Sequence, residues 1–318
     1  SNQTLQTQKK WSSINTMDPA YDQYEKAREF YRTHEYLAWI GEDESDEETI
    51  RSASEEALDQ SENANSPANT DSASAKISDQ PMIYPMQQLM DYDFLMKHFY
   101  NVHTSTTADR ELMNAKNLLS KDLTLEKEDA PQILIYHTHS QESYKNSKKD
   151  ENVVAVGQKL TDLLTEKGWN VYHDTTVYDL AVGKLDRSRA YTYALEGINE
   201  ILARYPSIQV VLDIHRDGVG EDVYLKTEIG GQPSARIMFF NGLSQTPEGP
   251  ISYLANPFRE DNLAFSLKLQ LKAEEYYPGF TRKIYLKGLR YNQHLRARSA
   301  LVEVGAQTNT FEEACNAM

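Results

Sequence analysis

Residues 132–168 read QILIYHTHSQESYKNSKKDENVVAVGQKLTDLLTEKG, in which an apolar segment, a polar loop and an amphipathic segment follow one another. The segment QILIYH is typical of a buried strand, because its apolar residues are nearly continuous. The segment VVAVGQKLTDLLTEKG is typical of a helix that ends at Gly168, where glycine readily adopts a left-handed cap. The stretch therefore predicts a strand that a crossover helix joins to the next strand, WNVYHD.

The same alternation continues to the end of the chain. A predicted helix from Ser188 to Tyr205, with Ala194 and Ile198 on its apolar face, leads into the strand IQVVLDIH. Further predicted strands are ARIMFFN, KIYLKG and SALVEVGAQTN, with the helices NLAFSLKLQLKAEEYYP and FEEACNAM among them. Strands joined by crossover helices predict an α/β fold, a mostly parallel twisted sheet with helices on both faces.

The first 82 residues differ from the rest in composition. Asp18 and Pro19 precede aromatic residues at helical spacing, which predicts an amphipathic helix within an N-terminal segment, 1–40. Residues 41–80 contain twelve acidic residues against two basic ones and no aromatic residue. Such a segment buries too little apolar surface to offset its ordering entropy, so we expect an acidic disordered linker over 41–82. The folded domain is expected over 83–318.

Several classes of protein are excluded or lack support. The net charge of −15 lies mostly in the acidic linker, and no basic stripe indicates nucleic-acid binding. The single cysteine, Cys315, excludes an internal disulfide and a cysteine-based structural zinc site, and we expect a passive thiol there. No G-x-S-x-G, P-loop or G-x-G-x-x-G pattern is found, so a serine hydrolase and a nucleotide enzyme have no support.

Three of the predicted strands contain or precede ionisable residues that are costly to bury unless they are paired or bound to metal. His139 and Glu142 follow the first strand, His215 ends VVLDIH, and Glu303 lies within LVEVG. Ligands of open parallel sheets bind beyond the carboxyl ends of the strands, so we expect these residues to meet there. Two histidines and a glutamate are the ligand set of a hydrolytic zinc site with a fourth position for water.

Two assignments stay open on spacing alone. His137 lies two residues before His139 and could replace Glu142 as a ligand if the strand continued. Glu303 lies in an apolar strand, where its pKa is expected to rise toward the range of a general base, unless a nearby arginine holds it as a carboxylate. The arginines closest to it are Arg296 and Arg298.

Several sequence blocks together resemble the stage II sporulation protein P family, which is itself similar to the zinc-dependent N-acetylmuramoyl-L-alanine amidases. The blocks are ILIYHTHSQESY, VVLDIHRDGV, NPFREDNLAFSLKLQ, LRYNQHL and LVEVGAQTNTFEEA. The resemblance covers about residues 84–318 and implies an amidase/phosphorylase-like fold.

Matched to the amidase motifs, the resemblance implies that His139 and His215 are zinc ligands and that Glu303 is the catalytic glutamate. The middle ligand departs from the amidase pattern, in which a glutamate comes more than ten residues after the first histidine. Here HSQE offers Glu142, and Glu151 stands at the longer spacing. Arg216 and Asn262 lie in matching blocks, and we expect them to orient the glycan or the stem peptide. With His139 and Glu142 as ligands, we expect His137 to position a neighbouring group or to face the substrate.

The resemblance implies a zinc-dependent peptidoglycan hydrolase that cleaves the N-acetylmuramoyl-L-alanine amide bond, and it also allows cleavage of peptide cross-links. It implies action outside the cytoplasm at the sporulation septum, during septum thinning and engulfment, through an N-terminal membrane anchor that this sequence does not include. The implied partners are a lytic transglycosylase and an integral membrane protein. Two alternatives remain: an inactive peptidoglycan-binding or scaffold module, and a zinc carboxypeptidase that acts on free peptides.

Overall fold

A computed structural model describes residues 75–76, 82–180 and 185–318. The predicted N-terminal helix and most of the predicted linker lie outside these ranges. The strands are β1 (Ala75–Lys76), β2 (Tyr100–Val102), β3 (Ile133–Tyr136), β4 (Val171–His173), β5 (Val210–Asp217), β6 (Lys226–Ile229), β7 (Gln232–Ala235), β8 (Ile237–Gly242), β9 (Gln245–Thr246), β10 (Gly249–Pro250), β11 (Ile284–Lys287) and β12 (Ser299–Ala306). The helices are α1 (Met86–Leu89), α2 (Tyr92–Phe99), α3 (Ala115–Ser120), α4 (Val153–Glu166), α5 (Arg187–Arg204), α6 (Arg259–Tyr276) and α7 (Phe311–Asn316), with a 3-10 turn at Ser252–Leu254.

The central sheet has seven strands in the order β2-β11-β8-β12-β5-β3-β4. Five of its six neighbouring pairs are parallel, and the pair β8–β12 is antiparallel. The prediction of a mostly parallel α/β sheet is confirmed, but the sheet is mixed. The chain reaches β8 from β5 through the antiparallel hairpin β6–β7, and not through a crossover helix, so nothing constrains β8 to run parallel to β5.

Helices cover both faces of the sheet, as predicted, because successive side chains of a strand point to opposite faces. On β3, Ile135 belongs to a hydrophobic core that also contains Val156 of α4. Its neighbour Leu134 belongs to a second core, which contains Ile198 of α5. The two faces are called the α4 face and the α5 face below. The comparison with the amidase/phosphorylase-like fold stays a prediction.

Local signals explain where α4 begins and ends. The side chain of Asn152 accepts hydrogen bonds from the backbone N–H groups of Val154 and Ala155, which caps the helix start. Gly168 has a φ of 82°, so the predicted left-handed cap is confirmed.

The edge strand β2 was not predicted, because three residues that follow α2 directly are too few to show an alternating pattern. Within the described ranges, no helix combines the length and apolarity needed to span a bilayer.

Candidate metal centre

The register of the sheet brings the predicted site residues to one place. β3, β5 and β12 run parallel, so their carboxyl ends lie at the same edge. Glu303 of β12 pairs with His215 of β5, and paired residues of parallel strands point to the same face. The preceding residues, Val302 and Ile214, belong to the core on the α4 face. His215 and Glu303 therefore point to the α5 face.

His139, Glu142 and His215 form a buried cluster, the one group in the described part of the chain whose ligand atoms could hold a metal. These atoms all lie within 4.8 Å of one another. Nδ1 of His139 lies 3.6 Å from Oε1 of Glu142, and Nδ1 of His215 lies 3.4 Å from Oε2. The three residues that the sequence indicated as ligands thus face a common point.

The turn that follows β3 orients the side chains of both His139 and Glu142. The N–H of Glu142 donates to the carbonyl of His139 at 3.2 Å, which closes the turn over the three-residue spacing. The N–H of Arg216 donates to Oε2 of Glu142 at 3.1 Å, and its Nε donates to the carbonyl of Ser143 at 3.1 Å. These contacts support the positioning role that was predicted for Arg216.

The carboxylate of Asp213 forms a close ion pair with His215, a contact that was not predicted. Its Oδ1 lies 2.8 Å from Nε2 of His215. The same carboxylate accepts hydrogen bonds from the N–H and the hydroxyl of Thr138, at 2.9 and 2.6 Å. A carboxylate behind a ligand histidine leaves the other ring nitrogen free to face a metal. A signal was present, because Asp213 stands two residues before His215 and so shares its face of the strand.

The charges of the cluster suit a divalent cation. Burial by itself would raise the pKa of Glu142, but the neighbouring rings of His139 and His215 hold that pKa well below its usual range. Burial would lower the pKa of His215, but Asp213 and then Glu142 raise that pKa well above its usual value. The ring therefore keeps a proton between two carboxylates. A divalent cation can replace this proton, because imidazole nitrogen and carboxylate oxygen are donors that zinc accepts.

Glu303 has the environment of a proton-transfer group. It is half-buried, and its Oε2 is buried without a hydrogen-bond partner. Burial, followed by the negative charge of Asp217, raises the pKa of Glu303 to about 8. The alternative pairing with an arginine is not found, because Arg296 and Arg298 donate to backbone carbonyl groups. A carboxyl group that titrates near neutral pH suits general base catalysis.

His137 lies on the α4 face, away from the metal cluster. Its Nδ1 lies 3.0 Å from the carbonyl oxygen of Ile214, and its Nε2 lies 2.9 Å from Nε2 of His173. The ring is fully buried next to Gly157 of α4. The structure therefore does not bring His137 together with the other candidate ligands, because the strand alternation turns it to the opposite face. Its burial supports positioning over substrate contact.

Two other sequence candidates are engaged elsewhere. Asn262 is 1% exposed, donates to the carbonyl of Gln293 at 2.5 Å and accepts from the N–H of Ser299 at 2.9 Å. It supports the start of β12, and no surface is left for substrate. Glu151 forms an ion pair with Lys148 at 3.0 Å and is not part of the metal cluster. Of the two glutamates considered for the middle ligand, only Glu142 lies beside both histidines.

The sequence profile of the stage II sporulation protein P family matches residues 8–318. The chain belongs to this family. The stage II sporulation protein P of Bacillus subtilis (strain 168) is 29% identical over 203 residues, which cover 58% of this chain and 48% of that relative. The chain therefore spans about half the length of this curated relative. The predicted family is confirmed, and it connects the chain with sporulation.

Two further residues of this stage II sporulation protein P family member border the cluster, and neither was predicted. Nη2 of Arg187, the first residue of α5, lies 2.7 Å from Oε1 of Glu142 and 3.1 Å from Nδ1 of His139. One turn later, the ring of Tyr191 packs against His139 and His215, with centroid distances of 5.5 and 6.5 Å. Helical periodicity placed α5 but could not show that its first turn meets the cluster of His139, Glu142 and His215.

Proposed function

We propose that this protein is a zinc-dependent peptidoglycan hydrolase that cleaves the N-acetylmuramoyl-L-alanine amide bond. The observation that carries the proposal is the buried cluster of His139, Glu142 and His215, with Glu303 directly across from His215. Three ligands and a separate carboxyl group of raised pKa are the parts that metal-assisted amide hydrolysis needs. The resemblance to the zinc amidases supplies the substrate class.

The residues divide the chemical work. Zinc held by His139, Glu142 and His215 supplies Lewis acidity toward the scissile carbonyl and toward water. Glu303 takes a proton as general base and returns it to the leaving nitrogen as general acid. Without metal the pKa of Glu303 is raised to about 8, and a zinc ion nearby would lower it toward neutral pH, where a carboxyl group accepts and releases a proton with similar ease. The carboxylate of Asp213 lies beside Nε2 of His215 and stabilises the positive charge on that side of the ring.

The proposal extends to the setting of the reaction. The protein acts outside the cytoplasm on peptidoglycan at the sporulation septum, during septum thinning and engulfment, and is held at the membrane by an N-terminal anchor. A lytic transglycosylase, which cleaves glycan strands, and an integral membrane protein are its partners. Cleavage of peptide cross-links is a second activity of the same site. Membership of a sporulation family supports this setting, together with the resemblance from which these partners were predicted.

Purified protein tests the reaction directly. Zinc content is measured after dialysis, and purified sacculi are then digested and the released products identified by mass spectrometry. The amidase releases whole stem peptides with a free N-terminal alanine, whereas a carboxypeptidase releases single C-terminal residues and a scaffold module binds sacculi without any product. Chelation should abolish release, and added zinc should restore it. Protein that holds no zinc and releases no stem peptide would refute the proposal.

A pair of variants connects the activity to the cluster. Glu142→Gln should lose both zinc and activity, because a neutral amide replaces the buried carboxylate between the two histidines. Glu151→Gln is the matched control, because Glu151 pairs with Lys148 outside the cluster. Equal zinc content in the two variants would count against Glu142 as the middle ligand.

A further inference from the structure

The guanidinium group of Arg187 lies against the same atoms that would bind a metal. One nitrogen, Nη2, contacts Oε1 of Glu142 at 2.7 Å and Nδ1 of His139 at 3.1 Å. Both atoms could serve as metal ligands of the cluster, and they lie 3.6 Å apart. Arg187 thus supplies a positive charge at the point where the ligands converge.

This arrangement and a bound cation exclude each other. Zinc bonds to histidine nitrogen and carboxylate oxygen are about 2.0–2.2 Å long. A cation bonded to both atoms would lie within about 3.5 Å of the present position of Nη2, given those bond lengths. Two positive charges at that distance repel strongly, and the lone pair of His139 Nδ1 cannot serve both a hydrogen bond and a metal bond. Either the metal ion or the guanidinium group of Arg187 therefore has to leave this position.

Arg187 is the partner that can move. Its side chain is 43% exposed, whereas that of Glu142 is 3% exposed and lies between His139 and His215. Its backbone is held at the start of α5, where Asp186 caps the helix by accepting from the N–H of Arg189. A displaced side chain therefore stays beside the site and turns toward solvent. A guanidinium group there presents a planar pair of donors that matches a carboxylate.

We propose that Arg187 is a substrate-binding residue of this site. Without metal it pairs with Glu142. When zinc binds, it turns outward and binds a carboxylate of the stem peptide. This inference rests on the proposed function, since it requires a metal and a peptide substrate.

The first test is the zinc affinity of the metal-free protein, measured by competition with a chromophoric chelator. Arg187→Gln should bind zinc about tenfold more tightly than wild type, because zinc no longer has to break a charged hydrogen bond. Arg187→Lys keeps a mobile charge and should lie between the two. Arg189→Gln is the matched control, because Arg189 is as exposed, lies in the same helical turn and pairs with Asp186.

Unchanged zinc binding in Arg187→Gln would overturn the inference, since it would mean that Arg187 does not compete with the metal. Weaker zinc binding would also overturn it, since it would mean that Arg187 supports the metal-bound ligands. Absence of zinc binding in the wild type would refute the proposed function instead, so the two failures are distinguishable.

The second test concerns the carboxylate. Binding of N-acetylmuramoyl-L-alanyl-D-glutamate and of its diamide is measured by calorimetry on zinc-loaded Glu303→Gln, which prevents turnover. The acid should bind about tenfold more tightly than the diamide, because only the acid can form a charged hydrogen bond between its carboxylate and Arg187. Adding Arg187→Gln should remove this preference, and adding Arg189→Gln should leave it. A preference that survives Arg187→Gln would show that another group binds the carboxylate.

Discussion

Glu303 of β12 lies directly across from His215 of β5, and both side chains point to the face of the sheet that α5 covers. The pairing is continuous from Ser299 to Glu303 and is interrupted only beyond it, before Ala306. A slip of one residue would turn Glu303 to the opposite face. The relative position of His215 and Glu303 is therefore set by two adjacent central strands and not by loops.

Substitution of Glu303 by glutamine should separate metal binding from catalysis. Glu303→Gln keeps the shape of the side chain but cannot accept a proton, so stem-peptide release should fall by about 10²–10⁴-fold. Zinc content should equal that of the wild type, because the three ligands are untouched. Both quantities are measured on the same preparation. Loss of zinc in this variant would instead make Glu303 a ligand.

The raised pKa of Glu303 predicts a pH dependence of stability for the metal-free protein. Its folded-state value is about 8, against an ordinary value of 4.5, because burial disfavours the charged form. Between these values the unfolded chain has lost the proton and the folded chain keeps it, so the free energy of unfolding falls as pH rises. The contribution of protonated Glu303 to the free energy of unfolding is complete below its ordinary pKa of 4.5 and is lost above about pH 8.

Thermal unfolding in the presence of chelator, from pH 5 to 8.5, checks this slope. Glu303→Gln has no titrating group at this position, so its midpoint should fall less steeply with pH than that of the wild type. Parallel curves for the two proteins would show that Glu303 titrates normally in the fold.

Asp213 should tune the zinc affinity through His215. Asp213→Asn leaves the side-chain shape but removes the charge behind Nε2 of His215, so zinc affinity should fall about 10–100-fold. Asp174→Asn is a suitable control, because Asp174 is also buried but accepts hydrogen bonds from Thr176 and Tyr178. Chelator competition measures both variants. Equal losses of zinc affinity in Asp213→Asn and Asp174→Asn would show that the effect comes from a general weakening of the fold.

Gly157 of α4 should tolerate no side chain. A Cβ atom there would lie 2.5 Å from Cε1 of the buried His137. Alanine is the better helix former by about 1 kcal/mol, but overpacking of a core costs about 1–3 kcal/mol, so Gly157→Ala should destabilise the protein on balance. The change is measured as a shift in the denaturation midpoint.

A second variant keeps this prediction specific. In a His137→Ala background the closest atoms are gone and only Nε2 of His173, at 3.1 Å, remains near the new Cβ, so adding Gly157→Ala should cost clearly less stability. A cost of the same size in both backgrounds would place the conflict elsewhere.

The sequence by itself determined most strands of the central sheet, the helices that join them and the chemical types of the candidate ligands. Strand and helix periods are local, so QILIYH, VVLDIH and the helix that ends at Gly168 could be predicted without knowledge of the fold. Ionisable residues at the ends of apolar strands carry a desolvation cost, and this cost alone indicated His139, His215 and Glu303 as functional residues.

Only the tertiary structure decided which of these groups meet. The reversal of β8, the exclusion of His137, the choice of Glu142 over Glu151 and the approach of Arg187 all depend on contacts between segments that are distant in sequence. A local sequence pattern shows on which face of a strand or helix a side chain lies. It does not show which residue the side chain faces, because sheet register and helix packing set that partner.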